Sequence, residues 1–172
     1  MEPLTSLTNK LKRKYILALL GSLAWTVTAS VVGLAQLWVT ILIFSFDKNK
    51  NYDYSQTIQE GSLLFFVMAI MAAIVVDYYF DPNMKFNPWL EGLLFSFIPF
   101  LTGVFVATSY AALHLIGPGS IDDSMAGQMQ VYAIAITILY ALLVKFLHFL
   151  NSFTMIEKQQ KQKNEAGNDS SS

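Results

Sequence analysis

Four ionisable side chains sit within or at the edge of long apolar runs: Asp77, Glu91, Lys145 and His148. A charge at membrane depth is costly unless it is paired or lines a wet cavity, so these residue types nominate the set as the first functional candidate. At about 1.5 Å of rise per residue, Asp77 and Glu91 each lie roughly 5 Å, and Lys145 roughly 8 Å, from the nearby ends of their runs. They share one layer, and His148 joins it one turn beyond Lys145 on the same helix face. Such a layer has two chemistries open to it. It can pass a proton or ion, or an Asp77–Lys145 or Glu91–Lys145 pair can cancel charge and fix how helices pack. The packing role is the expectation. Lys145 can snorkel, and Glu91 occupies a first helical turn, where the dipole favours an anion. Asp77 is the member least accounted for by its position.

Other chemistry finds little to work with. His114 falls about a membrane thickness from His148, so the two cannot share a metal. There is no Cys, no HExxH and no Gly-x-Ser-x-Gly, and Gly117-Pro118-Gly119 lacks the lysine and the strand-to-helix setting of a phosphate loop. No enzyme activity, cofactor or metal site is expected. The formal charge of −1 also gives no basic excess with which to hold a phosphate backbone, so direct nucleic-acid binding is not expected either.

The elements that must position the layer follow from composition. Of the 172 residues, 54% are hydrophobic and only 13% charged, about half the charge of an ordinary soluble domain, and the mean hydropathy is +0.45. The apolar residues form four blocks, about 15–46, 58–80, 88–116 and 129–150. Each is long enough for the ~20 helical residues that cross a bilayer core. The expected fold is an all-α membrane protein, an antiparallel four-helix bundle over 15–152, with a basic segment 1–14 before it and a polar tail 153–172 after it. The first block, roughly 48 Å as a single helix, must tilt or project. It is too long for the core of a cleaved signal and is read as an uncleaved anchor. Asp81-Pro82-Asn83 stops the second helix and Asn87-Pro88 starts the third.

Direction follows from the cations, which are retained beside the spans on the cytoplasmic side. Lys10, Lys12, Arg13, Lys14, Lys85, Lys145, Lys158, Lys161 and Lys163 lie at the termini, in the second connection or at the inner end of the fourth block. Only Lys48 and Lys50 fall in the first and third connections. Both termini are therefore expected in the cytoplasm, with 47–59 and 117–128 outside, and a bacterial inner membrane is the expected location.

Helices in lipid associate through small residues and hydrogen bonds, because the tails are as apolar as the side chains. Ser22, Thr26, Ala29, Gly33, Gln36 and Thr40 recur every three or four residues along the first block, and Gly92, Ser96, Pro99 and Gly103 begin a similar line in the third. The second offers Ala69, Ala73 and Asp77; the fourth offers Gln130, Ala133, Thr137, Ala141 and Lys145. Pro99 removes a backbone bond to the Phe95 carbonyl, so a kink is expected there. Three functional classes fit these features. The leading one is an oligomerising membrane effector, toxin-like or defence-type, that alters permeability under control of a soluble cytoplasmic partner. The others are an accessory or assembly subunit of a larger membrane complex, and a small-solute or proton-coupled carrier using the charged layer.

Overall fold

The computed structural model describes residues 4–46, 61–81, 86–116 and 122–169. They are almost entirely helical, with no strand among them. The helices are α1 (Leu4–Gly33), α2 (Ala35–Phe46), α3 (Ser62–Phe80), α4 (Pro88–Gly92), a π-helical turn (Leu93–Phe97), α5 (Ile98–Ile116) and α6 (Asp123–Asp169). Four stretches are long and apolar enough to cross a membrane: Lys12–Gly33, Ser62–Phe80, Pro88–Ile116 and Ser124–Gln160. The connections 47–59, 82–85 and 117–121 lie outside the described residues, as do the side chains of Gln36 and Thr40.

Local chemistry sets the helix ends. Gly61 caps α3 with φ +66°, a left-handed conformation that a side chain would strain, and a Cβ there would meet Leu113 and Tyr110 of α5. Asn87 caps α4 by accepting the Trp89 N–H at 3.2 Å, with Pro88 in the first turn, where its missing N–H costs nothing. Asp122 accepts the Ser124 N–H at 2.9 Å. That cap starts α6 six residues ahead of the expected Met129, so 123–128 is helix rather than connection. The helix then runs 47 residues, about 70 Å, more than twice the hydrocarbon thickness.

The first block departs from expectation by dividing at Leu34. Backbone bonds from Leu34 N to Ser30 O and from Trp38 N to Leu34 O bridge the junction, both at 3.0 Å. Gly33, the last residue of α1, lies where a Cβ would come within 3.1 Å of the Phe66 ring on α3. A glycine is the residue that most readily yields its helical conformation, and here it also admits that close approach.

The packing places small residues inside and large apolar ones outside along α1. Ala18, Ser22 and Thr26 are buried, whereas Leu19, Leu20, Leu23, Val27 and Val31 are exposed. A water-soluble bundle would invert this pattern. α6 packs most extensively on α1 and α3, and α5 packs on α3 rather than along α6. α3 is central: Phe66, Ile70, Met71 and Ile74 join Leu94, Phe95, Tyr140, Ala141 and Val144 in the core, and Leu64, Val67, Val106 and Ala133 form a second cluster. The α1–α6 approach depends on Gly21, whose added Cβ would stand 3.1 Å from the Phe149 ring. Gly21→Val is expected to cost about 1–3 kcal/mol through overpacking, read as a lowered denaturation midpoint in detergent.

Candidate functional site

The charged layer forms where α1, α3 and α6 meet. Lys145 Nζ donates to Asp77 Oδ2 at 2.5 Å, and the same ammonium stands 4.3 Å from the centre of the Trp25 ring on α1. The Lys145 side chain is 5% exposed and that of Asp77 41%. The cation is therefore enclosed by its carboxylate and an aromatic face while the carboxylate keeps one open side. An ammonium gains from both neighbours, by charge and by the ring quadrupole. One turn on, His148 Nε2 lies 3.4 Å from Asp81 Oδ2. Beyond it, Lys14 Nζ of α1 reaches Glu157 Oε2 at 3.1 Å and Thr154 Oγ1 at 2.9 Å on α6.

Of the two carboxylates proposed for Lys145, the structure uses Asp77. Glu91 turns the other way. Its Oε1 accepts the Phe86 N–H at 2.7 Å, tying down the backbone just ahead of α4. Glu91 thus holds the residue ahead of the cap, while Asn87 itself satisfies the Trp89 N–H.

The small-residue lines fare differently from one another. On α1, Ser22 and Thr26 are buried and Ala29 and Gly33 half-buried; on α6, Gln130, Ala133, Thr137, Ala141 and Lys145 are all buried. On the third rod the expected line is displaced from the packed side. Gly92 has nothing near it and Ser96 is exposed, with Pro99 and Gly103 half-buried. The packed edge lies one residue earlier, at Phe95, Ile98, Thr102, Val106, Ser109 and Leu113. Spacing alone does not choose between lines 100° apart. Packing against α3 decides it, with Phe95, Ile98, Val106 and Leu113 meeting its buried residues. The second block shows the same preference: Ala69 is exposed and Ala73 and Asp77 half-buried, while Phe66, Ile70, Met71 and Ile74 face the core.

Tyr140 has a role that spacing does not announce. The Ile98 N–H donates to Leu93 O in the π register. In that register the donor for Leu94 O would be the nitrogen of Pro99, which carries no hydrogen. The Leu94 carbonyl is thus left without a backbone donor, and the Tyr140 hydroxyl of α6 donates to it. The signal available in the sequence was a proline inside a span together with a tyrosine deep in another, each with one unmet polar group. Trp25 packs against the core and also covers Lys145.

Chemically, the layer holds opposite charges together at one end of the bundle. Among the described residues no group of three metal-ligating side chains occurs. Comparison with family models, curated proteins and solved structures returns no match, so the functional argument proceeds from geometry.

Proposed function

We propose that the chain is a multi-pass inner-membrane protein without catalytic machinery, an oligomerising effector that alters membrane permeability and is governed by a soluble partner. The observation that carries this reading is the exposed small-residue line on the third rod. In lipid, Gly92, Ser96 and Ala107 gain nothing from facing tails, whereas they let the helix of a second copy approach closely. Gly103 and Ala107 also line a shallow groove of about 270 Å³ beside Phe65 and Met68 of α3. The polar length of α6 beyond Ser152, strapped to α1 through Lys14, is the element a soluble partner reads.

Antiparallel packing of α1 and α6 is supported by their partners, because Lys14, Gly21 and Trp25 meet Glu157, Phe149 and Lys145 in descending order. A cytoplasmic position for both termini is supported by the lysines and arginine that cluster at that end.

The test is controlled expression with a potential-sensitive dye. The wild type is expected to depolarise the membrane, and Ser96→Leu/Ala107→Leu, at two exposed positions, to abolish both depolarisation and cross-linked oligomers while leaving insertion intact. Unchanged potential with well-inserted wild-type protein would defeat the proposal. An accessory-subunit role draws on the same exposed face; gentle extraction and sizing would reveal it as a complex with other proteins.

A further inference from the structure

Because α5 leans on α3 rather than along α6, a cleft of about 730 Å³ opens sideways between α5 and α6. Val67 and Met71 of α3 contribute to its lining, as do Leu101 and Phe105 of α5 and Ile136 of α6, and no Asp, Glu, Lys, Arg or His takes part. We propose that this cleft is a binding site for one hydrocarbon tail of a membrane lipid, an inference that rests on the membrane reading above.

Three features point to that occupant. On α6 the lining runs from Met125 to Tyr140, about 22 Å of helix rise, which takes a whole extended tail. The cleft is open sideways, toward the tails of a surrounding bilayer, so a single chain can enter it without parting the helices. The polar groups are also spoken for where the cleft is most enclosed. The buried Thr137 hydroxyl donates to Ala133 O at 2.7 Å and the Tyr140 hydroxyl donates to Leu94 O. What remains for an occupant there is apolar contact, while Gln128 stands near the other end, where a headgroup would sit. An apolar lining with an uncommitted polar group near one end suits an amphiphile.

The test is native mass spectrometry of the full chain, purified from vesicles of phosphatidylethanolamine and phosphatidylglycerol after a carbonate wash. One retained phospholipid per chain is expected. Thr102→Phe/Ile136→Trp, which adds bulk on both walls of the cleft, is expected to lower retention about tenfold, the effect of withdrawing roughly two methylenes from burial. Thr102→Leu is the milder filling that keeps the test open if the double variant does not fold, and a smaller fall is expected from it. Folded, inserted protein that retains no lipid would overturn the proposal, as would equal retention by the filled variants. The chain contains no Cys, so Ile136→Cys gives a clean second arm: disulfide-linked dimers in the membrane would assign the cleft to a second copy. Release of the protein by carbonate would instead defeat the membrane reading itself.

Discussion

Asp77→Asn, made alone, is expected to destabilise the bundle by about 2–3 kcal/mol, because it leaves the enclosed Lys145 ammonium without its counter-charge. The figure stands at the lower edge of the range for buried pairs since Asp77 keeps an open side, 41% of its side chain being exposed. Lys145→Met should cost less, about 1 kcal/mol. It preserves the apolar stem against Val144 and Trp25 and strands only a carboxylate that still reaches polar surroundings. The two changes together should cost less than their sum, because neither charge is then left alone. Denaturant unfolding of the four proteins in one detergent measures the cycle. Equal costs for the two single changes, adding without coupling, would show that the pair does not hold α3 to α6.

Tyr140→Phe is expected to cost about 1–3 kcal/mol by leaving the Leu94 carbonyl buried without a donor. Pro99→Ala restores a backbone N–H and lets the turn at Leu93–Phe97 relax toward α-helical bonding, so Leu94 O regains a donor within its own rod. In the Pro99→Ala background the Tyr140→Phe penalty should therefore fall to about 0.5 kcal/mol or less, the value of a hydroxyl whose partner is already satisfied. The check is the coupling between the two changes in the same unfolding assay. A Tyr140→Phe cost that is unchanged by Pro99→Ala would separate the hydroxyl from the proline.

The parts legible in the sequence are those governed by composition or by one local rule. Four apolar blocks need only length and hydropathy. Asn87-Pro88 announces a helix start through the side-chain acceptor and the missing N–H. Lys145 demands a carboxylate, and Asp77 and Glu91 were the two within reach. Choosing between them needed the position of Phe86, whose N–H takes Glu91 instead. The α1 line from Ser22 to Gly33 and the α6 line from Gln130 to Lys145 were readable because two rods that approach closely both need small or slender residues.

What escaped depends on the neighbours. The third rod carries two adjacent lines that both read as packing faces, and only the contact with α3 selects between them. The break at Leu34 has no turn residues to mark it beyond Gly33, a single glycine that many helices absorb. The π turn is invisible to periodicity, because one added residue displaces a pattern that still reads as helical on both sides. The pairing of His148 with Asp81 joins the middle of α6 to the C-cap of α3, and Asp81 had already been accounted for as a helix stop.

Thiol labelling in sealed vesicles tests most directly whether lipid is the solvent for these helices. Leu139 is 66% exposed on α6, so in water a cysteine there would react freely, and in a bilayer it would be covered by tails. With Leu139→Cys and Lys158→Cys prepared separately in the Cys-free chain and the vesicles oriented so that the tail is accessible, a membrane-impermeant maleimide should label position 158 and leave 139 unlabelled until detergent is added. Equal labelling of both positions before detergent would contradict the account.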